Sequence, residues 1–211
     1  MKLRGLYAIT PDCANSAFLL ERAARALEAA GAGGFAALQY RNKLARREQR
    51  ILEAKALARL CRERRVPFIV NDDVGLALQT GADGAHLGRD DGSLAAARAR
   101  LPGRILGASC YDSLDAARAA CAQGADYLAF GSVFPSATKP SAVRAPLALF
   151  GAARALGVPL VAIGGITLQN APQLLAAGAD CLAVISDLFE APDIAETARA
   201  YGKLFGHDLT Q

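Results

Sequence analysis

The chain has 211 residues, of which 53% are hydrophobic, and this is enough to bury a substantial core in one domain. Its apolar runs are far too short to span a membrane, and the N-terminus has no long apolar stretch of the kind that a signal peptide needs. The net charge of +4 is modest and no pattern of stacking aromatics accompanies it, so we expect neither a membrane nor a nucleic acid as a partner.

The cysteines are scattered along the chain and form no framework. There are five of them, which is an odd number, and no C-x-x-C pair occurs. Neither a set of disulfides nor a zinc site is therefore expected. The default interpretation is a reduced, cytoplasmic protein.

Short apolar runs alternate with alanine-rich amphipathic stretches along the whole chain. The predicted strands are Leu6–Thr10, Ala36–Tyr40, Phe68–Val70, Gly84–Leu87, Ile105–Ser109, Tyr127–Gly131, Leu160–Ile163 and Cys181–Ile185. The predicted helices are Ser16–Ala30, Leu44–Arg64, Val74–Gln79, Ser93–Arg100, Ser113–Gln123, Pro146–Leu156, Leu168–Ala177 and Ile194–Leu204. Eight strands, each followed by a helix, predict a single-domain (β/α)8 TIM barrel over residues 1–211. A doubly wound open sheet is the alternative, because periodicity alone does not show closure.

A weak repeat supports this alternation. Gly-Ala-Asp stands between a helix end and a strand in "TGADGAHLG", "QGADYLAFG" and "AGADCLAVI", and "AGAGGFAAL" is a looser copy. Glycine suits a left-handed helix C-cap, and the small residues allow a tight return into the sheet. We interpret the repeat as a structural feature of the helix-to-strand connections and not as part of an active site.

Polar residues collect where the predicted strands end, which is where a barrel of this kind carries its active groups. Strand 2 ends in "LQYRNK", so that Gln39, Arg41 and Lys43 alternate along the chain and would project to one side. An amide and two cations that converge on one spot fit a phosphate or diphosphate. A solvated loop is the alternative for any one of the three.

Strands 3 and 4 end in acidic pairs. "FIVNDD" gives Asn71, Asp72 and Asp73, and "HLGRDDG" gives Asp90 and Asp91. Carboxylates from neighbouring strand ends can hold Mg²⁺ together with a substrate phosphate. The alternative is helix capping, because Asp73 and Asp91 both precede helical runs. One aspartate of each pair could cap while the other coordinates.

The later strands continue this pattern. Strand 5 ends at Ser109, and strand 6 leads into a loop that carries Ser136, Thr138 and Lys139, whose hydroxyls and ammonium suit an anion, although ordinary turn chemistry also explains such a loop. Strands 7 and 8 end in a Gly-Gly pair and in Ile185-Ser186, at the position of the recurring phosphate site of these barrels.

Two other residue types offer no catalyst. Cys110 has no histidine close in sequence to activate it, so a nucleophilic role is not expected. His86 lies within strand 4 and is interpreted as a hydrogen-bonded interior group.

In chain order, "LYAITPD", "LQYRNK", "FIVNDDVGLAL", "GADGAHLGRDDG", "LGASCYD", "ADYLAFGSVFPSATKP", "VAIGGIT" and "GADCLAVIS" resemble the thiamine-phosphate synthase (thiamine-phosphate pyrophosphorylase) family. The resemblance extends from about Leu6 to Asp187, and its motifs are specific in combination. It implies a TIM barrel and a transferase of a pyrimidinylmethyl group. The reaction would join 4-amino-2-methyl-5-hydroxymethylpyrimidine diphosphate to a thiazole phosphate, with Mg²⁺, to give thiamine monophosphate and diphosphate.

The resemblance also implies roles for particular residues. The pyrimidine diphosphate would bind to Gln39, Arg41, Lys43, Asn71, Ser109 and Lys139, among which Arg41, Lys43, Ser109 and Lys139 would act in catalysis. The thiazole phosphate would bind to Ser136, Thr138, Gly165, Ile185 and Ser186. Asp72 and Asp91 would be the Mg²⁺ ligands. The position of Asp73 just before a helical run, and not the resemblance, predicts that it caps the next helix.

The family mechanism is dissociative, so that diphosphate leaves before the thiazole nitrogen attacks. Such chemistry needs charge neutralisation and placement, and it needs no protein nucleophile. One departure is Arg89, where the family usually has glutamine; this extra cation could pair with Asp90 or Asp91, or weaken the metal.

Two other functions are compatible with such a barrel. A thiazole tautomerase would share the thiazole-phosphate pocket but would lack the diphosphate and metal residues. A non-catalytic phosphate-binding regulator would bind ligand without turnover. Oligomeric state is left open.

Overall fold

The computed structural model describes residues 3–30, 34–135 and 143–206, and its eight parallel strands close into one barrel. The strands are β1 Gly5–Ile9, β2 Phe35–Tyr40, β3 Phe68–Asn71, β4 Gly84–Leu87, β5 Ile105–Tyr111, β6 Tyr127–Phe130, β7 Leu160–Ile163 and β8 Cys181–Val184. Each strand pairs with its neighbour in sequence, and β8 pairs with β1. The TIM barrel is therefore confirmed, and the open-sheet alternative is wrong.

Helices lie between the strands and surround the barrel. They are α1 Ser16–Leu27, α2 Arg47–Arg64, α3 Val74–Thr80, α4 Leu94–Arg100, α5 Leu114–Ala122, α6 Ala148–Ala153, α7 Ala171–Ala177, α8 Ser186–Phe189 and α9 Ile194–Lys203. A 3-10 turn, Arg154–Leu156, continues α6. No helix in these described ranges has both the length and the apolarity that crossing a membrane requires.

Several helices begin later than predicted, and one was not predicted. The helix expected from Leu44 begins at Arg47, and the helix expected from Leu168 begins at Ala171, where a proline occupies the first turn. Proline is favoured there because its missing N–H has no helical partner. The four-residue α8 was not predicted, because one helical turn produces no apolar periodicity.

The core has two layers. The larger apolar cluster lies between the sheet and the helices, with Leu38, Leu57 and Phe150 among its fully buried members. The smaller cluster fills the barrel interior and includes Tyr7, Tyr127 and Val161. Interior residues alternate along each strand with residues that face the helices, as the two-residue period of a strand requires.

The Gly-Ala-Asp repeat is architectural, as predicted, and its aspartate has a specific task. The glycines adopt positive φ at or just after helix ends, as Gly81 (φ 68°) and Gly178 (φ 107°) show. Each aspartate precedes an even-numbered strand, and one carboxylate oxygen accepts the backbone N–H of a residue at the start of the preceding odd-numbered strand. The pairs are Asp83 with Phe68 at 2.8 Å, Asp126 with Leu106 at 2.7 Å and Asp180 with Leu160 at 2.9 Å. We call these three contacts the aspartate latches; they lie at the N-terminal end of the barrel, opposite the mouth.

Candidate active site

A cavity of about 970 Å³ opens at the mouth of the barrel, where the strands end and the following loops begin. Every predicted site residue in the described part of the chain lines it: Gln39, Arg41, Lys43, Asn71, Asp72, Asp91, Ser109, Gly165, Ile185 and Ser186. The remaining predicted residues, Ser136, Thr138 and Lys139, lie outside the described residues. Parallel strands bring their carboxyl ends to one edge, and this is why residues so distant in sequence meet here.

Arg41 and Lys43 form a cationic rim at the end of β2, and the loop after β1 holds it. Arg41 Nη1 donates to Asp12 Oδ2 at 2.7 Å, and the backbone N–H of Lys43 donates to Asp12 Oδ1 at 2.6 Å. The Thr10 hydroxyl also exchanges two 2.8 Å hydrogen bonds with the backbone of Arg41. The Lys43 side chain is 60% exposed, and its ammonium lies 3.4 Å from Asp72 Oδ2 beside the cavity.

A buried carboxylate lies beneath this rim. Glu53, on α2, is 1% exposed and accepts four hydrogen bonds. Oε1 accepts from Ser16 Oγ at 2.7 Å and from Gln49 Nε2 at 2.9 Å, while Oε2 accepts from the Tyr40 hydroxyl at 2.7 Å and from Asn42 Nδ2 at 3.0 Å. Burial opposes ionisation of Glu53, but these four donors outweigh it, so the pKa of Glu53 is lowered.

The residue that connects Glu53 to the rim is Asn42, which stands between Arg41 and Lys43. Its amide nitrogen also donates to the backbone carbonyl of Cys13 at 2.7 Å, and its amide oxygen accepts from the backbone N–H of Cys13 and of Leu44. Asn42 therefore joins the loops that follow β1 and β2, and Glu53 holds Asn42 in place.

Asp72 and Asp91 form the acidic side of the mouth. Burial and the neighbouring Asp91 carboxylate together raise the pKa of Asp72, although the Lys43 ammonium, 3.4 Å from Asp72 Oδ2, acts in the opposite direction. Asp72 has a φ of 63°, in the left-handed region, and its N–H donates to the backbone carbonyl of His86 at 2.8 Å. Aspartate is one of the few residues besides glycine that tolerate this conformation, which is costly for most side chains.

The carboxylate oxygens of Asp72 and Asp91 are suitable ligands for a small divalent cation. Two ionised carboxylates offer only acceptor oxygens, and burial, together with the neighbouring Asp91, raises the pKa of Asp72. Mg²⁺ commonly takes one or two carboxylates and completes its shell with water and substrate phosphate. The residues described contain no group of three or more His, Cys, Asp or Glu side chains that could hold a metal without such additions.

The capping alternative holds for one aspartate and is wrong for the other. Asp73 caps α3, because its Oδ1 accepts the N–H of Leu76 at 2.8 Å, as predicted. Asp91 does not cap α4; Ser93 does so, and Asp91 Oδ2 instead accepts the N–H of Gly88 at 2.7 Å. The turn through Gly92 delays the start of α4 by two residues and keeps the carboxylate of Asp91 at the mouth.

Arg89, where the resemblance led us to expect glutamine, stacks on an aromatic ring. Its guanidinium carbon lies 4.8 Å from the centroid of the Tyr111 ring, and its backbone N–H donates to the Tyr111 hydroxyl at 3.3 Å. A cation over a ring face is held by the ring quadrupole and loses little hydration at an exposed site. The arginine thus has a partner besides the two aspartates next to it.

A chain of five polar side chains crosses the floor of the cavity. Gln39 Nε2 donates to the Tyr7 hydroxyl at 3.0 Å, the Tyr7 and Tyr127 hydroxyls lie 2.6 Å apart, the Tyr127 hydroxyl lies 2.9 Å from His86 Nδ1, and His86 Nε2 lies 2.8 Å from Ser109 Oγ. We call this set the floor chain. His86 is thus a hydrogen-bonded interior group, as predicted, and it connects two predicted substrate contacts, Gln39 and Ser109.

Burial keeps the titratable members of the floor chain neutral. It lowers the pKa of His86 to about 4, against a smaller opposing effect of Asp91, and it raises the pKa of both Tyr7 and Tyr127. Gly107 gives this arrangement its space, because a Cβ there would lie 2.0 Å from the Tyr127 ring. No member carries a charge at neutral pH.

The wall of the cavity across from the acidic side, which Asp72 and Asp91 form, consists of the ends of β7 and β8. Gly164 and Gly165 have φ of 105° and 64°, and a Cβ on Gly165 would lie 2.2 Å from the backbone oxygen of Pro135. Only glycine fits there without a shift of the backbone. Ile185 and Ser186 complete the wall at the start of α8.

The cysteines agree with the sequence prediction. All five are free, and burial raises the pKa of Cys110 to about 12. A thiol of this kind is a poor nucleophile, because the thiolate is the reactive form.

Some site residues were not identified from the sequence. Asp12 stands in "LYAITPD", where a proline before an acid reads as a turn, and Glu53 stands in a helix of alternating charges. Tyr7 and Tyr127 read as ordinary strand aromatics. A signal existed only for Asp12, which is one more acid just after a strand end.

The comparisons with known proteins agree with this architecture. A family model described as thiamine monophosphate synthase matches residues 6–188. The chain belongs to this family. It is 58% identical to the thiamine-phosphate synthase of Aromatoleum aromaticum over 97% of both chains, and 58% identical to that of Bordetella avium over 93% of this chain and 92% of the relative.

A solved structure of the same family has the same fold. Thiamine phosphate pyrophosphorylase from Pyrococcus furiosus matches with a TM-score of 0.85 and 35% identity, over 99% of this chain and 98% of that chain. The family resemblance drawn from the motifs is thereby confirmed over almost the whole length.

Proposed function

We propose that this chain is a thiamine-phosphate synthase, an enzyme that transfers a pyrimidinylmethyl group. Its substrates would be 4-amino-2-methyl-5-hydroxymethylpyrimidine diphosphate and a thiazole phosphate, and its products thiamine monophosphate and diphosphate. The observation that carries the proposal is the meeting of Arg41, Lys43, Asp72 and Asp91 at one side of the mouth cavity, in a chain whose relatives bear this name.

The charges of the mouth favour a diphosphate as the leaving group. Arg41 offers a planar fork of donors and Lys43 a mobile point charge, and together they match an anion with several oxygens. Asp72 and Asp91 would hold Mg²⁺, which when bound would supply a counter-charge for the diphosphate oxygens. Asn71, at the end of β3 and next to Asp72 in sequence, would donate to the same substrate.

The reaction would proceed by dissociation. The bond between the methylene carbon and the diphosphate oxygen breaks, and its electron pair leaves with diphosphate. The electron-rich aminopyrimidine stabilises the resulting cation, and the lone pair of the thiazole nitrogen then forms the new carbon–nitrogen bond. The protein supplies neutralisation of the leaving group and alignment of the second substrate.

The wall at the ends of β7 and β8, which lies across the barrel from the acidic ends of β3 and β4, suits the second substrate. Gly165 permits close approach of the backbone, and Ser186 adds a hydroxyl, so a phosphate monoester could accept hydrogen bonds there. The thiazole phosphate would then lie at the ends of β7 and β8, two strands whose apolar Val161 and Ala183 also line the cavity.

The test is a direct assay of the purified full-length protein with both substrates and Mg²⁺. Thiamine monophosphate should form, its formation should stop when Mg²⁺ is chelated, and omission of either substrate should abolish it. A folded protein that yields no product under these conditions would refute the proposal. Binding of pyrophosphate without turnover would indicate the phosphate-binding regulator, and Mg²⁺-independent isomerisation of a thiazole would indicate the tautomerase.

A further inference from the structure

The direction in which hydrogen bonds are donated along the floor chain follows from the chemistry of its members. Gln39 presents its amide nitrogen to Tyr7, so the Tyr7 hydroxyl accepts there. Its own proton then points along the 2.6 Å contact to Tyr127, and the Tyr127 proton points to His86 Nδ1. A hydroxyl has one proton and can accept twice, but a buried hydroxyl that donated to no partner would cost free energy, so each of these buried links determines the next.

This direction determines the tautomer of His86. Because Nδ1 accepts from Tyr127, the proton of the neutral imidazole resides on Nε2, which lies 2.8 Å from Ser109 Oγ. Ser109 Oγ then accepts from His86 and retains its own proton. That proton is free to point into the cavity, which Ser109 lines.

We infer that His86 is a positioning residue, whose Nε2–H turns the Ser109 hydroxyl so that it donates into the cavity. This rests on the proposed function in one respect, namely that the ligand facing Ser109 is the diphosphate-bearing substrate. A diphosphate oxygen can only accept a hydrogen bond. If the Ser109 hydroxyl donated its proton to His86, it could not donate to the diphosphate. A chain of aligned hydrogen bonds also polarises each member and strengthens the last donor.

The tautomer can be measured without any substrate. The chain has two histidines, so a His207→Gln protein labelled with ¹⁵N-histidine reports His86 alone. We expect Nε2 at the chemical shift of a protonated nitrogen and Nδ1 at that of an unprotonated one. The opposite assignment would mean that hydrogen-bond donation in the floor chain proceeds from Ser109 toward Gln39, and it would overturn the inference.

Two tyrosine variants form a matched pair for the same measurement. Tyr127→Phe and Tyr7→Phe each remove one buried hydroxyl, but only Tyr127 contacts His86. We expect Tyr127→Phe to shift both imidazole signals toward a mixture of tautomers, and Tyr7→Phe, which removes only the link that directs the Tyr127 proton, to shift them less. An unchanged tautomer in Tyr127→Phe would contradict the role given to the chain.

Kinetics then separate positioning from simple support of the fold. Ser109→Ala should lower kcat about 100-fold, and His86→Leu about tenfold with little change in KM. Because His86 acts through Ser109, the double variant should be no slower than Ser109→Ala, and His86→Gln, whose amide N–H replaces Nε2–H, should recover most of the loss. Additive losses in the double variant would overturn the inference. If the wild-type enzyme forms no thiamine monophosphate, the proposed function fails, while the NMR measurement still decides the tautomer.

Discussion

Glu53→Gln tests the buried carboxylate beneath the cationic rim. Each oxygen of Glu53 accepts from one hydroxyl and one amide, so a glutamine NH2 would face one donor of each kind. The hydroxyl can rotate and accept instead, but the amide N–H cannot, and the remaining bonds lose their charge assistance. One lost bond and three weakened ones should cost about 2 kcal/mol in the free energy of unfolding. This corresponds to a decrease in Tm of about 4–8 °C for a domain of this size.

The matched control is Glu63→Gln on the same helix. The Glu63 side chain is 60% exposed and its contact with Arg59 is 3.9 Å, so the substitution should change the free energy of unfolding by less than about 0.5 kcal/mol. Urea denaturation of the three proteins supplies the comparison. A Glu53→Gln protein as stable as Glu63→Gln would show that the four hydrogen bonds contribute nothing net.

The dependence on pH gives a second measurement of the same carboxylate. The folded pKa of Glu53 is lowered, so its contribution is fully present above the unfolded pKa, roughly 4.3, and is lost as pH falls through the folded value. The stability difference between wild type and Glu53→Gln should be constant from about pH 6 to 8 and should shrink in acid. A difference that stays constant as pH falls would mean that the ionised carboxylate is not its cause.

Three further predictions concern the mouth and the base of the barrel. Asp91→Asn should lower kcat/KM by at least about 100-fold and raise the Mg²⁺ concentration needed for activity. The control, Asp90→Asn, should change kcat/KM about twofold or less. Equal effects of the two substitutions in an Mg²⁺ titration would argue against Asp91 as a ligand. Gly165→Ala should destabilise the fold by about 3 kcal/mol because its Cβ meets the Pro135 oxygen, while Gly157→Ala, at φ 73° with open space, should cost about 1 kcal/mol by thermal denaturation. Asp83→Ala should lower the unfolding free energy by about 2 kcal/mol and leave KM for both substrates unchanged, and a changed KM would show coupling between base and mouth.

The strands could be predicted closely because a barrel strand is short, apolar and bounded by turn residues. The predicted β4 and β7 coincide with the observed ones, β1 is shifted by one residue, and the other strands differ by one or two residues at one end. Barrel closure could not be derived from periodicity, since an open sheet uses the same alternation of strand and helix. The family motifs supplied that information.

The mouth residues could be predicted because parallel strands end at a shared edge, so that polar residues at strand ends meet. The residues that hold these mouth residues in place could not be predicted. Glu53 is separated from Asn42 by ten residues and meets it only after α2 packs against β2, and Asp12 reaches Arg41 across two loops. The capping alternative for Asp91 was wrong for a local reason, because the helix predicted from Ser93 begins at Leu94 with Ser93 as its cap, and the turn through Gly92, at φ 105°, leaves Asp91 two positions before that cap.

The three aspartate latches leave one comparable joint of the barrel without a carboxylate. Between β1 and β2 the N–H of Leu6 donates to the backbone oxygen of Gly34 at 2.6 Å. A Cβ on Gly5 would lie 2.2 Å from that oxygen, and a Cβ on Gly34 would lie 2.6 Å from the backbone oxygen of Gly202 in the last helix. The first strands and the last helix therefore meet backbone to backbone. At three joints a side-chain carboxylate makes the connection, whereas between β1 and β2 a side chain at position 5 or 34 would collide with the backbone that it faces.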